Sequence, residues 1–302
     1  MPLLLFAQAT RPASLLSKAS ASGWRIGSAA MQWKLRRRTR TSRGEIAFDC
    51  LGNGPPVVLV HGTPSRSYIW RRIAPVLAER HRVFLFDLLG FGESERHIEQ
   101  DVSIRAHAEV LAELIDQWGV VEPAVAGHDI GGAVVLRTHL LGEVAMSRLA
   151  LIDAVALRPW ITARTREMQA SLDRYGPLPD DRLEQEIAKH LRSATYQELE
   201  RATFEALFSQ WAGAEGQALY LRNIAKLDER DTAEFEPLLS TMTTPARVIW
   251  GQQDRWLDPS ISAELVALMP HADLVQVPNA GHFCMEDDPA RVTAAMTTFF
   301  AA

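Results

Sequence analysis

Short apolar runs alternate with longer amphipathic stretches along most of this chain. The short runs have the length and β-branched content of buried strands, and they occur at 45–50, 57–61, 82–87, 124–128, 149–153, 246–251 and 273–277. One intervening stretch, 103–118, places its apolar residues on a single helical face, namely Ile104, Ala108, Leu111, Leu114, Ile115 and Trp118. Strands that alternate with helices predict βαβ units with right-handed crossovers. We therefore expect an α/β protein with a mostly parallel central sheet and flanking helices.

The segment 155–240 interrupts this alternation, because no strand pattern appears in it. Helical patterns occur instead near 159–173, 181–193, 196–212 and 215–228, separated by breaks such as Gly176-Pro177-Leu178-Pro179. We interpret 155–240 as a helical cap inserted into a core formed by 44–154 and 241–302.

Residues 1–43 differ in composition from the rest of the chain. They contain no Asp or Glu, are rich in Ser, Ala and Arg, and include the basic cluster Lys34-Leu35-Arg36-Arg37-Arg38. Such a segment resembles a transit-type or anionic-surface sequence, but its apolar run Leu3-Leu4-Leu5-Phe6 is too short for a secretory signal. We interpret residues 1–43 as a flexible basic extension.

Composition narrows the class of protein further. The 302 residues carry a net charge of −5 and 47% hydrophobic residues, so there is no basic footprint for nucleic acid. No apolar run approaches the ~18 residues of a membrane-spanning helix, which predicts no stable membrane insertion. Cys50 and Cys284 lie far apart without metal-type spacing, as is typical of thiols in a reducing compartment. We expect a cytoplasmic protein without a metal or other cofactor.

The sequence Gly127-His128-Asp129-Ile130-Gly131 carries the clearest chemistry. An apolar strand leads into it and a helix-compatible pattern leads out, which is the context of a G-x-nucleophile-x-G turn. Here a carboxylate stands where serine is usual. Because a carboxylate is already ionised at neutral pH, we expect Asp129 to attack an electrophilic carbon directly and to leave an ester on the protein.

Two further strand ends supply partners for Asp129. The strand 246–250 runs into Gly251-Gln252-Gln253-Asp254, and the strand 274–277 runs into a loop that contains His282. The chain order is therefore nucleophile Asp129, acid Asp254 and base His282, which is an order that catalytic triads use. Asp153 also follows a strand and is the alternative acid; it would equally serve to cap the next segment.

These motifs resemble the α/β-hydrolase superfamily, and specifically its aspartate-nucleophile branch of haloalkane dehalogenases and epoxide hydrolases. The resemblance covers about Glu45 to the C-terminus and rests on His61-Gly62-Thr63-Pro64, on the D-x-x-G-x-G-x-S loop 87–94 and on the loop 281–289. It implies that the backbone N–H groups of Thr63 and Ile130 form an oxyanion hole. It also implies a small apolar organic substrate, with water as the second reactant.

The chain departs from the dehalogenase pattern at the residues that hold the halide. Dehalogenases of this branch usually carry Trp directly after the nucleophile and often Asn in the H-G-x-P loop, where this chain has Ile130 and Thr63. Epoxide hydrolases use cap tyrosines, and Tyr220 lies about one position from such a site, whereas Tyr175 and Tyr196 are the other tyrosines of the cap. Haloalkane dehalogenase is the leading prediction and epoxide hydrolase the alternative. An esterase-like or carbon–carbon bond hydrolase and a non-catalytic binding protein of the same fold are further alternatives.

Aromatic residues of the cap and of the late loops are candidates for an apolar pocket above Asp129. At helical spacing, Phe204, Phe208 and Trp211 are more often packing residues than pocket residues. The predicted substrate pocket consists of Trp160, Phe208, Tyr220, Trp256 and Phe283.

Overall fold

The computed structural model describes residues 33–172 and 181–301. They form a single eight-stranded sheet with helices on its faces. The strands are β1 Arg37–Thr41, β2 Gly44–Leu51, β3 Pro56–Val60, β4 Arg82–Phe86, β5 Ala124–His128, β6 Arg148–Ile152, β7 Ala246–Gly251 and β8 Ala272–Val277. All seven strands expected from the apolar runs are present.

The sheet has the order β1-β2-β4-β3-β5-β6-β7-β8. The pairs β1/β2 and β2/β4 are antiparallel, and every other pair is parallel. The central strands β3, β5 and β6 are buried almost throughout, as expected for parallel strands covered on both faces. The α/β fold class is confirmed, and the carboxyl ends of β3, β5, β7 and β8 point to one edge of the sheet.

Strand β1 was missed by the sequence analysis, and it corrects the boundary at residue 44. Its sequence Arg-Arg-Thr-Arg-Thr is exposed on most of its length and pairs in register with β2, for example Arg38 with Ala47. A charged edge strand has no apolar alternation by which to recognise it. Trp33 also packs edge-on against Tyr68, at 6.0 Å between ring centroids. The folded core thus begins before residue 44, whereas residues 1–32 lie outside the described residues.

The helices of the described residues fill the connections between strands. Their bounds are α1 Ala74–Leu77, α2 Ile104–Gln117, α3 Ile130–Leu140, α4 Ala163–Ala170, α5 Asp181–Ser193, α6 Arg201–Phe208, α7 Gly213–Ala225, α8 Arg230–Ala233, α9 Ser260–Leu268, α10 Cys284–Asp287 and α11 Pro289–Phe300. Helix α2 begins where the Ser103 hydroxyl accepts the Ala106 N–H, a typical N-cap. Within these ranges no helix combines the length and apolar character needed to cross a membrane.

Helices α4 to α8 form an insertion between β6 and β7, where the sequence predicted a helical segment. Polar side chains fasten the insertion to the core. The Trp211 indole donates to the Pro64 carbonyl at 2.8 Å, and the Gln210 amide donates to the carbonyls of Pro64 and Ser65. The break at Gly176-Pro177-Leu178-Pro179, with Tyr175 before it, lies outside the described residues.

The turn between β5 and α3 is held in an unusual backbone conformation. Asp129 has φ 54° and ψ −125°, a combination that non-glycine residues rarely adopt. Glycines make the turn possible, because a Cβ at Gly127 would lie 2.4 Å from the Gly131 carbonyl oxygen, and one at Gly131 would lie 2.6 Å from the carbonyl oxygens of Val60 and His61. Close approach of α3 to β3 and β5 therefore requires the glycines that flank Asp129.

Replacing Gly131 by Ala should destabilise the fold by about 3 kcal/mol, since the new methyl group meets backbone that has no room to move. Gly119→Ala is the control. Gly119 has φ +62° but no atom within 4 Å of an added Cβ. Alanine there should therefore cost only the free energy of holding a non-glycine residue in the left-handed conformation, about 1 kcal/mol. Urea unfolding measures both variants. A cost at Gly131 no larger than that at Gly119 would contradict the close approach.

Candidate active site

The Asp129 carboxylate lies at the carboxyl end of β5 and is 5% exposed. Its two oxygens have different surroundings. Oδ1 accepts the backbone N–H of Thr63 at 2.7 Å, and Oδ2 lies 3.3 Å from Nε2 of His282. Ile130 is the first residue of α3, so its N–H belongs to the helix turn that lacks intrahelical carbonyl partners. The positive end of the helix dipole also faces this carboxylate.

The imidazole of His282 is fixed from its other side. Nδ1 donates to Oδ2 of Asp254 at 2.8 Å, and both side chains are fully buried. Oδ1 of Asp254 accepts the N–H groups of Trp256 and Leu257, at 2.8 and 3.1 Å. The turn after β7 thus orients the carboxylate, which in turn orients the ring with Nε2 toward Asp129.

The charge of His282 depends on its two acidic neighbours. Burial alone would lower its pKa, but the charges and hydrogen bonds of Asp254 and Asp129 outweigh burial and raise the pKa well above 6.5. The two carboxylates therefore favour the imidazolium form of His282 in the resting site. Loss of the negative charge on Asp129 would bring the pKa of His282 down.

Asp153, the alternative acid, lies next to this group, but its carboxyl is directed to the backbone at the end of β7. Its Oδ1 accepts the Gly251 N–H at 2.7 Å, and the Cys284 thiol lies beside it. Burial, followed by the charge of Asp254, raises the pKa of Asp153 well above 3.8. Asp254 is therefore the carboxylate that is hydrogen-bonded to the ring of His282. Asp153 is a buried carboxyl whose hydrogen bond to the Gly251 N–H joins the end of β6 to the end of β7.

A narrow cleft of about 40 Å³ opens above Asp129 between the core and the insertion. Three of the five predicted pocket residues, Trp160, Tyr220 and Trp256, line it together with Thr63, Ile130, Val155, Ile161, Thr162, Thr165, His190, Ile224, Leu227 and Leu257. Apolar side chains dominate this lining.

Two of the pocket predictions are wrong. Phe208 is buried and stacks on Phe204 at 5.2 Å between ring centroids. Phe283 is fully buried and contacts the rings of Trp256 and His128. Both are core residues. The sequence analysis placed them in the pocket because a sequence does not distinguish a position on a buried face from a position that faces the cleft.

His190 lines the cleft and was missed by the sequence analysis. It lies near the end of α5, three residues after the buried Ile187 and next to the buried Leu191. A histidine on the apolar face of an amphipathic helix was the available signal. Within 33–172 and 181–301, no group of three or more His, Cys, Asp or Glu side chains is placed to hold a metal ion.

Comparison with known proteins agrees with this architecture. The model of the alpha/beta hydrolase fold matches residues 55–289. Haloalkane dehalogenase 2 of Mycobacterium tuberculosis is 30% identical over 279 residues, which cover 86% of this chain and 93% of that protein.

Solved structures show the same fold. An alpha/beta hydrolase fold protein from Burkholderia ambifaria superposes with a TM-score of 0.85 at 36% identity, covering 88% of this chain and 98% of that chain. A thermophilic esterase from Thermogutta terrifontis gives a TM-score of 0.70 at 24% identity, with the same coverage of both chains. This second likeness concerns the fold alone.

Replacing Asp129 by Asn should lower the pKa of His282, because one of the two charges that hold the imidazolium is removed. Asp153→Asn is the matched control, since Asp153 is hydrogen-bonded to the Gly251 N–H and not to the ring, and its raised pKa favours the uncharged form. Imidazole ¹⁵N shifts followed against pH measure both. In the unaltered protein the imidazolium stabilises the fold fully below the unfolded pKa of 6.5 and loses that effect as pH rises through the folded pKa. An unchanged pKa in Asp129→Asn, or an equal drop in Asp153→Asn, would contradict the ion pair.

Proposed function

Because the chain belongs to the alpha/beta hydrolase family, we propose that it hydrolyses small apolar organic molecules through an ester formed on Asp129. One observation carries this proposal. The Asp129 carboxylate lies at the base of an apolar cleft. One of its oxygens accepts the Thr63 N–H, and the other lies 3.3 Å from Nε2 of His282. The helical insertion serves as a cap domain over this carboxylate, with Trp160 and Tyr220 above it.

In the first step Oδ2 of Asp129 attacks an sp³ carbon of the substrate. The bond to the leaving atom breaks, and that atom takes both bonding electrons. Oδ1 stays on the Thr63 N–H and becomes the carbonyl oxygen of the ester. The cleft excludes most water from the carboxylate, which makes an ionised nucleophile more reactive.

In the second step His282 activates water. Esterification removes the charge of Asp129, so the pKa of His282 falls and the ring, held by Asp254, becomes a base. The water loses a proton to Nε2 and adds to the ester carbonyl. The Thr63 and Ile130 N–H groups stabilise the oxyanion on Oδ1, and one such donor is typically worth about 2.7–4 kcal/mol. Collapse of this intermediate releases the alcohol and restores Asp129.

Haloalkanes are the substrate class that the relatives favour. The Mycobacterium tuberculosis protein that shares 30% identity across nearly its whole length carries that name. For a haloalkane the leaving atom departs as a halide ion, and each turnover also releases one proton to solvent.

Epoxide hydrolysis is the second candidate, and the donors in the cleft favour it. The indole N–H groups of Trp160 and Trp256 donate to the Thr232 and Ser193 hydroxyls, at 2.9 and 3.0 Å, and are not available to a halide. The Tyr220 oxygen accepts from Arg164 at 3.5 Å, so its own O–H points elsewhere. Burial raises the pKa of Tyr220 above 10.0, which keeps the hydroxyl protonated at neutral pH.

An opening epoxide needs such a proton. Tyr220 would give its proton to the alkoxide oxygen in the first step. The proton that His282 loses when Asp129 is esterified returns to the Tyr220 oxygen. Of the two protons of the attacking water, one goes to His282 and the other to the second hydroxyl of the product, so that water and epoxide give only a diol. Diol formation from styrene oxide, against halide release from bromoalkanes, distinguishes the two candidates.

His282→Gln should spare the first step and stop the second, so that the alkylated protein accumulates. Intact-mass and peptide mass spectrometry after mixing with 1-bromohexane or styrene oxide should find the added mass on the peptide that contains Asp129. Asp254→Asn should slow turnover by about 10³–10⁴-fold, because the ring loses its orientation.

Asp129→Asn in the same background is the control and should acquire no mass. A His282→Gln protein that traps nothing, from substrates that the unaltered protein consumes, would refute the ester mechanism. Turnover of aryl esters that survives Asp129→Asn would point instead to an esterase.

A further inference from the structure

The ring of His190 stacks on an aromatic side chain in the wall of the cleft. Its ring lies parallel to that of Trp256, with centroids 3.9 Å apart and an interplanar angle of 4°. The Trp256 ring stacks in turn on His282, at 4.7 Å. Two histidines from different parts of the chain, one from the insertion and one from the core, therefore stack on the same indole.

The ring nitrogens of His190 are unused inside the described structure. Neither nitrogen has a hydrogen-bond partner among residues 33–172 and 181–301, although the ring borders the same cleft as Asp129. The other ring donors of the cleft, on Trp160 and Trp256, are satisfied by hydroxyl groups of the protein. A polar N–H left without a partner at an apolar surface is costly unless a ligand or water accepts it.

The surroundings of His190 keep it uncharged. Burial, followed by the charges of Arg164 and His282, lowers its pKa well below 6.5. A neutral imidazole carries one N–H donor. Arg164 also contacts the Tyr220 hydroxyl. His190 and Tyr220 are thus two donors in this wall of the cleft, beside the hydroxyls of Thr162 and Thr165, which bond to each other.

We propose that His190 is a catalytic residue, whose ring N–H donates a hydrogen bond to the atom that leaves the substrate carbon. This role rests on the proposed attack by Asp129. As the bond from Oδ2 to carbon forms, both electrons of the breaking bond move to the leaving atom, and His190 keeps its proton while it stabilises that charge. In both candidate substrates the leaving atom gains negative charge. That atom is the oxygen of an epoxide or the halogen of a haloalkane.

Two positions that hold the halide in dehalogenases differ in this chain. Ile130 has no side-chain donor, whereas Thr63, which lines the cleft, carries a hydroxyl. His190 lines the same cleft from the insertion and can offer a ring N–H there. Its ring stacks on the indole of Trp256, so a donor in this position costs little ordering of the side chain.

The test isolates the first step by working in the His282→Gln protein. His190→Phe keeps an aromatic ring on Trp256 but has no N–H, and His190→Gln keeps an N–H without the ring. Styrene oxide and 1-bromohexane are used as separate probes, and the rate at which mass is added to Asp129 is followed by quenched-flow mass spectrometry.

With the probe that alkylates the protein, we expect His190→Phe to slow alkylation by about 100-fold, as for loss of one preorganised donor. His190→Gln should retain a rate within about tenfold of the parent. The probe whose rate depends on His190 identifies the leaving atom as oxygen or halogen. An unaltered urea midpoint in both variants shows that the fold is intact.

Two failures are distinguishable. If the His282→Gln parent acquires no mass from either probe, the ester mechanism itself is refuted. If the parent is alkylated but His190→Phe reacts as fast, the ring only packs against Trp256 and the assignment of His190 is overturned. The assignment of His190 is also overturned if His190→Gln is alkylated as slowly as His190→Phe.

Discussion

The ion pair between Asp129 and His282 is the interaction on which the candidate site depends. Both groups are almost completely removed from water, and an uncompensated charge in such a place would be expensive. Asp254 supplies a second negative charge on the far side of the ring. As a result the protonated imidazole is favoured while Asp129 is free, and in the proposed mechanism it becomes a base only when Asp129 has been esterified. One geometric arrangement would thereby order the two proposed steps.

Direct contacts of the loop that contains His282 with the ends of β5 and β7 keep this arrangement in place. The neutral ring of His128, whose pKa burial and His282 lower to about 3, shares a 3.0 Å hydrogen bond with the His282 carbonyl. Gly251, at the end of β7, passes so close to the His282 loop that a Cβ there would lie 2.1 Å from the Gly281 carbonyl oxygen. Backbone contacts of this kind leave the carboxylate and the imidazole little freedom to separate, which suits a preorganised site.

Much of this could be predicted from sequence, and the exceptions have physical reasons. Apolar runs reveal buried parallel strands, and strand ends reveal Asp129, Asp254 and His282, because these patterns are local. The charged strand β1 has no apolar pattern, since it pairs with β2 through its backbone and through ion pairs such as Arg38–Glu45. Choosing between Asp254 and Asp153 required the path of the loop after β7, and excluding Phe208 from the pocket required knowing which side of α6 faces the cleft. His190 gains its significance only from stacking on Trp256, a contact between residues 66 positions apart in the chain.

Single turnover in H₂¹⁸O tests most directly whether Asp129 forms an ester. Water that attacks the ester carbonyl leaves its oxygen on the enzyme, so with protein in excess over substrate the peptide that contains Asp129 should gain two mass units, while the first product alcohol carries unlabelled oxygen. Label found in the product and absent from that peptide would mean that water attacks the substrate itself, and the account given for Asp129 and His282 would be wrong.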